Sequence, residues 1–573
     1  TKVSMVEMST LSHQPGGVIH VSTLHLILSM APLLFVLAAS WKMELGLGSA
    51  VVTGAFRTLV QLSILGAILQ PIFAASNVYI VLGYSILMTI LAAHASCGRT
   101  KYVFKGQFFG VLGSLLIMVS LVGTFAFGVI IRPIPLYNPQ YVIPIVGMLL
   151  GNCVNGISLT MNQLTVSLVE QQREIELYLS FGASYSEAIS RLLREAVKDG
   201  TTPLLNSMTV IGIVAIPGMM TGQILGGSPI MEAAHYQALI MYLIAMATFG
   251  VILMEVVLIL HIGFDPSHML RSDRFIKPST KTSFWGMVQI IFRYMTRKTS
   301  GAVAEIQINS NDSEVKPLID TNIDAARYTS LRDSEGGYLE VHSLAAENDV
   351  STPKDCLVVD DLARVFPPES RSKVVKAKVL FQGMSFEVGS AGITLIRGPS
   401  GSGKSQLLRC IAALSPVQRG HVELDGISWN DTICKSGWRK KVRYVTQYKI
   451  DIPGTPYKFI KKVASFMSWV ADPLAPSESE MVKTINVLIM KWGLTPDCLS
   501  QEWSMLSGGE AQRVIVAIAF ASKPRVILFD ESTSALDMTT KLAVEDSIKE
   551  FSKKHGCKVL IVSHDVEQAG RLI

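Results

Sequence analysis

Between residues 20 and 265, apolar runs of 18 residues or more recur, each long enough to cross a hydrocarbon core of about 30 Å. With no water at that depth, such segments must close their backbone hydrogen bonds internally, as helices do. Seven spans are read, at about 22–40, 50–72, 77–95, 107–131, 140–163, 203–226 and 237–263. The basic residues give their sidedness. Lys42, then Arg99, Lys101 and Lys105, then Arg173, Arg191, Arg194 and Lys198, then Arg271, Arg274 and Lys277 fall on alternate connections. The opposite connections are short and carry only Arg132. This bias predicts a multi-pass protein with an outside N-terminus and a cytoplasmic C-terminus, in the plasma membrane or an endomembrane.

A chain of 573 residues exceeds a single core, so several domains are expected. The reading is a tail over 1–21, an all-α polytopic membrane bundle over 22–265, a polar and largely disordered linker over 266–354, and a soluble α/β domain over 355–573. The linker assignment rests on Ser-, Asp-, Asn- and Glu-rich strings such as 308–314 and 329–335, which bury too little apolar surface to order themselves. One amphipathic piece within it, 284–294, is read either as lying on the inner leaflet or as a short helix packed on the bundle. The net charge of +6 lies largely beside the spans, which points away from nucleic acid. The seven cysteines show no metal-ligand spacing and are expected as free thiols in a reducing compartment. The chain begins at Thr1, which leaves a cleaved targeting peptide undecided.

The soluble part carries the chemistry. Gly398, Pro399, Ser400, Gly401, Ser402, Gly403, Lys404 and Ser405 match G-x-x-x-x-G-K-[ST]. A strand-like run at 393–396 leads into them and a helical run at 406–414 follows, which is the context this motif needs. Glycines there let backbone N–H groups point at phosphates, where a helix N-terminus adds positive potential. A nucleoside triphosphate and Mg²⁺ are therefore the expected ligands, with Lys404 reaching the β- and γ-phosphates and Ser405 binding the metal. Val526 to Phe529 reads as a buried parallel strand. Asp530 at its end is placed at the Mg²⁺, and Glu531 beside it is placed to polarise the attacking water.

With Leu506-Ser507-Gly508-Gly509-Glu510 and Ser534-Ala-Leu-Asp537 added, residues 355–573 resemble an ABC nucleotide-binding domain over nearly their whole length. The resemblance implies ATPase activity coupled to transport. It makes Gln447 of Tyr444-Val-Thr-Gln447 the glutamine-loop residue, a catalytic and Mg²⁺ contact, and His564 the switch histidine. Phe366 becomes the candidate adenine-stacking aromatic, with packing in the domain's small sheet as the alternative. Ser507, Gly508 and Gly509 would face the γ-phosphate held by a second domain's phosphate loop. One copy of each half-site per chain then implies a homodimer with two ATP molecules sandwiched between chains.

The membrane half adds its own strings. Glu170 to Ser184 reads as a charged cytoplasmic helix stopped at Gly182 and Ala183, and resembles the coupling elements by which permeases dock on ABC ATPases, with Glu174 on its charged face. Val142 to Asn152 and Ile216 to Gly222 resemble the iron-export permease family, which includes plant aluminium-sensitivity permeases; the similarity runs from about Leu45 to Gly263. That family implies export of a metal ion or metal complex, or of an organic solute such as a nucleotide sugar. Met148, Met219 and Met220 offer thioether sulfur to a passing metal, or serve as packing filler. Asn152 lines a polar path or bonds between helices. Glu255 is a functional candidate as an acid within a span, or is protonated or paired with a neighbouring helix. A signalling coupler that moves no cargo is disfavoured, because the outer connections are too short to form a receiving domain.

Overall fold

A computed structural model describes residues 25, 28–29, 31–278, 328–332, 338–343, 355–366, 378–431, 435–534, 536–563 and 566–572. They fall into two compact units. The first comprises 1–164, 195–259 and 277–288; the second comprises 165–194, 260–276 and 289–573. The amphipathic piece at 284–294 lies outside the described residues.

Within the first unit, α1 (Ala31–Lys42), α2 (Gly48–Ala75), α3 (Val78–Cys97) and α4 (Gln107–Phe125) follow in order, α4 continuing as a π-helical turn to Ile131. Helix α5 (Pro139–Glu170) carries Pro144 in its second turn. Among the described residues, five helices are long and apolar enough to cross a membrane, at Gly48–Ala75, Val78–Cys97, Gln107–Ile131, Pro139–Glu170 and Ile230–Gly263. Seven spans were expected. The expected span over 203–226 is broken: one helix, Tyr185–Val210, ends before Ile211, and a second, Gly218–Leu225, starts after Pro217. Gly212 sits at φ +84° and Pro217 is extended at ψ 143°, so neither continues a helix from the preceding turn. Apolar composition conceals that break. The helix described at the first expected span has 12 residues.

Small residues bring the long helices together, as in bilayers, where close van der Waals packing replaces the hydrophobic drive. A Cβ on Gly110 of α4 would stand 2.2 Å from Leu258 Cδ2. Nearby, Arg99 and the Lys101 N–H donate to the Asn155 and Asn162 side chains of α5, each at 2.9 Å.

The second unit holds the ends of the membrane helices and the soluble domain. Helix α6 (Gln172–Ser180) and the start of α7 (Tyr185–Val210) form an elbow in it; α8 (Gly218–Leu225) and all but the end of α9 (Ile230–Gly263) belong to the first unit. The soluble domain has a six-stranded sheet and a four-stranded antiparallel sheet. Its strands are β1 (Tyr328–Arg332), β2 (Tyr338–Ser343), β3 (Cys356–Phe366), β4 (Lys378–Gly389), β5 (Ile393–Arg397), β6 (Arg419–Leu424), β7 (Ile427–Ser428), β8 (Val442–Val445), β9 (Val526–Asp530) and β10 (Lys558–Val562). The larger sheet runs β8-β9-β10-β5-β2-β1, with the first four strands parallel. Strands β9 and β10 are buried at every residue, matching their continuous apolar runs. The β1–β2 hairpin falls inside the stretch expected to be linker and pairs instead with β5. Its polar residues conceal it, since an edge hairpin needs backbone pairing more than an apolar face.

Candidate functional site: the phosphate loop and the elbow beside it

Strand β5 ends at Arg397, and the chain turns through 398–403 into helix α10 (Lys404–Ile411). Gly403 sits at φ +94° directly before α10, a backbone shape open to glycine at little cost. The first-turn N–H groups of α10 have no acceptor within their own helix and face the loop, which suits an anion. Lys404 Nζ donates to the carbonyls of Gly398 and Pro399, both at 2.8 Å. Burial lowers the Lys404 ammonium's pKa, opposed by the Glu531 and Asp530 carboxylates.

Ser405 Oγ donates to Asp530 Oδ1 at 2.9 Å, and the Tyr444 hydroxyl donates to Asp530 Oδ2 at 2.8 Å. Burial raises the Asp530 carboxyl, and these two hydrogen bonds hold it back. A hydroxyl and a carboxylate brought together in this way form an oxygen-rich donor set that fits a hard divalent cation such as Mg²⁺. Glu531 follows at φ +48°, a strained conformation outside glycine, with its N–H bonded to Val562 O at 3.1 Å. Its carboxylate accepts from Gln447 Nε2 at 2.7 Å. The expected residues Lys404, Ser405, Gln447, Asp530 and Glu531 therefore converge, through β5, β8 and β9.

The signature residues sit elsewhere on the domain. Ser507 caps helix Gly508–Ala521 in a reciprocal capping box with Glu510, and Ser507 and Gly508 are exposed. Phe366 ends β3, paired in register with Lys378. His564 lies outside the described residues.

The elbow is held by the same unit. Helix α6 closes with a paired turn in which the Gly182 N–H bonds Leu179 O at 3.0 Å and the Ala183 N–H bonds Tyr178 O at 3.1 Å, with Gly182 at φ +87°. Glu174 pairs with Arg191 at 2.7 Å, bracing α6 against α7. Three side chains of the soluble domain grip consecutive carbonyls of the turn. Arg443 donates to Ser180 O at 2.5 Å, Trp469 Nε1 to Phe181 O at 2.9 Å, and Ser468 Oγ to Gly182 O at 2.7 Å. Arg409, five residues beyond Lys404 on α10, forms an ion pair with Glu176 of α6. Burial disfavours its charge, but the Glu176 carboxylate more than compensates and the pKa rises.

The contact is tight. A Cβ on Gly182 would stand 3.0 Å from Ser468 Oγ and 3.2 Å from the Ser436 carbonyl. Gly182→Ala is therefore expected to cost about 1–2 kcal/mol from the left-handed backbone alone. Urea unfolding of the full chain in detergent, followed by tryptophan fluorescence, measures this; an unchanged midpoint would refute the tight fit.

Sequence reasoning missed Tyr444, Arg409, Arg443, Trp469 and Glu176. Tyr444 stands three residues before Gln447, so a polar residue pointing from β8 towards β9 was the available signal. The cargo-path candidates are spread over three helices: Met148 and Asn152 on α5, Met219 and Met220 on α8, and Glu255 on α9. Asn152 Nδ2 turns back to Met148 O at 3.0 Å, while Glu255 is fully buried beside Ser114. Among the described residues no group of three His, Cys, Asp or Glu could hold a metal.

A phosphate loop on a parallel sheet, a paired Ser405–Asp530 and a capped signature helix define an ABC-type ATPase, here joined to a helical membrane domain. The comparisons agree: residues 381–534 match the family model described as ABC transporter, and residues 23–262 match the one described as uncharacterised protein family UPF0014. The UPF0014 membrane protein YjkA of Bacillus subtilis is 34% identical over 219 residues, covering 38% of this chain and 86% of that protein. The protein ALUMINUM SENSITIVE 3 of Arabidopsis thaliana is 30% identical, covering 37% and 77%. The probable iron export permease protein FetB of Escherichia coli is 29% identical, covering 38% and 83%. The chain belongs to the UPF0014 membrane protein family, with its permease domain fused to an ABC ATPase domain that hydrolyses ATP to drive transport.

Proposed function

We propose that the protein is an ATP-driven exporter of a metal ion or metal complex from the cytosol, working as a homodimer. One observation carries the coupling: the elbow between α6 and α7 and the phosphate loop share one compact unit, joined through Glu176 and Arg409 just beyond Lys404. The cargo class rests on the relatives named for iron export and aluminium sensitivity.

In this reading Gly398 to Ser405 cradle the phosphates and Lys404 leaves its own loop carbonyls for the β- and γ-phosphates. Ser405, Asp530 and Gln447 hold Mg²⁺, which neutralises phosphate charge when bound. Glu531 takes the proton of the attacking water, Phe366 stacks on adenine, and His564 contacts the γ-phosphate. The Ser507-Gly508-Gly509 end of the signature helix completes the partner chain's site, so neither chain is active alone. Glu174, Gly182 and Ala183 keep the elbow in shape as the two ATPase domains close and pull the membrane helices with them. Met148, Asn152, Met219, Met220 and Glu255 line the cargo path. A second reading, export of an organic solute such as a nucleotide sugar, is favoured by the lack of a metal-ligating cluster among the described residues.

Proteoliposomes with ATP-facing ATPase domains decide between these cargoes, using Fe²⁺, Al³⁺ and UDP-sugars as substrates. ATP-dependent flux of a metal, with ATPase stimulation by the same metal, is the expected result. Flux of UDP-sugar alone would replace the metal reading with the second one. ATP hydrolysis with no flux of any of the three would count against both.

A further inference from the structure

We infer that Tyr444 is a positioning residue for the divalent cation: its hydroxyl fixes one oxygen of Asp530 so that the other stays on Ser405. The inference rests on the proposed Mg²⁺ role of Ser405 and Asp530.

Strands β8 and β9 run parallel with Tyr444 opposite Leu528, so the phenol reaches diagonally along the same sheet face to Asp530, two residues on. Both side chains are nearly sealed, at 6% and 2% exposure, so the hydroxyl is a directly placed protein donor to the carboxylate. The two oxygens of Asp530 are thereby divided, Oδ2 accepting from Tyr444 and Oδ1 from Ser405. A serine hydroxyl has one proton and two lone pairs. While its proton is committed to Asp530 Oδ1, its lone pairs are turned outward, as a cation ligand requires. Without Tyr444 the carboxylate is free to rotate about its χ2 bond, a soft torsion, and Ser405 loses that fixed direction. The phenol cannot serve as a base here: burial and the neighbouring Asp530 carboxylate hold its pKa well above the ordinary tyrosine value. Its surroundings are also charged by the elbow, because the Arg409 guanidinium acts on both Tyr444 and Asp530 while paired to Glu176.

Tyr444→Phe removes one oxygen and keeps the ring. In the full chain in detergent with a non-hydrolysable ATP analogue, Mn²⁺ binding read by EPR is expected to weaken about tenfold, the scale of one charge-assisted hydrogen bond. Affinity for the same nucleotide without metal is expected to stay within about twofold, because only the metal contact is disturbed. ATPase activity should recover at saturating Mg²⁺. Unchanged Mn²⁺ affinity would overturn the inference. So would an equal loss of metal-free nucleotide binding, which would mark Tyr444 as packing only. Asp530→Asn is the control: if it too binds Mn²⁺ like the parent, the metal site itself is misassigned, and the failure belongs to that reading.

Discussion

Replacing Glu531 by glutamine is expected to slow ATP hydrolysis by about 10²–10³-fold, the usual contribution of a positioned general base, while ATP still binds. The substitution keeps the shape and the strained backbone at φ +48°, and an amide oxygen can still accept from Gln447 Nε2, which lies at 2.7 Å. What disappears is the ability to take a proton from water. Phosphate release from the full chain in lipid nanodiscs, alongside nucleotide retention after washing, separates the two effects. A variant that hydrolyses ATP at the normal rate would remove Glu531 from its assigned role. A variant that no longer retains ATP would show that Glu531 acts in binding instead.

Arg443→Met has the second largest expected effect, and it falls on coupling. Arg443 is fully buried, and burial alone pushes its pKa down to about 9, so it remains charged at neutral pH. Its guanidinium lies 4.2 Å over the Phe181 ring and donates to Ser180 O, at the negative end of α6. Methionine fills similar volume and abolishes the desolvation cost, so the ATPase domain itself should lose little stability. The Ser180 carbonyl, however, is left without its charged donor, a loss of about 2–3 kcal/mol in the grip on the elbow. Basal ATP hydrolysis is therefore expected to persist while cargo moved per ATP falls by at least about tenfold. Hydrolysis and flux measured on the same proteoliposomes give this ratio. A parental ratio in Arg443→Met would exclude the grip as a transmission element.

The proposed nucleotide site was legible in the sequence because its motifs come as short, contiguous strings. Gly398 to Ser405 and Ser507 to Glu510 each encode a local backbone geometry, a phosphate cradle and a capping box, that needs no distant partner to be recognised. The elbow was legible for the same reason, since Gly182 announces a left-handed stop. Contacts between distant residues were not. Glu176 and Arg409 are 233 positions apart, and nothing in either neighbourhood names the other. Nor does the basic run 435–443 announce that Arg439 and Arg443 within it are fully buried. Hydropathy likewise counted 203–226 as a span because it sums side chains and ignores the backbone at Gly212 and Pro217. The β1–β2 hairpin escaped because its place depends on pairing with β5, which composition does not encode.

The three grips on the elbow all end on backbone carbonyls, at Ser180, Phe181 and Gly182. Such a socket recognises the trajectory of the chain, and of the elbow's side chains it holds chiefly the Phe181 ring and Glu176. The permease side of the joint can accordingly drift at its other positions while remaining compatible with the same engine, provided the left-handed glycine, Phe181 and Glu176 are kept. Exchange of this elbow for that of a stand-alone permease relative is then a realistic graft, and the fused polypeptide becomes a template for building interchangeable transporters.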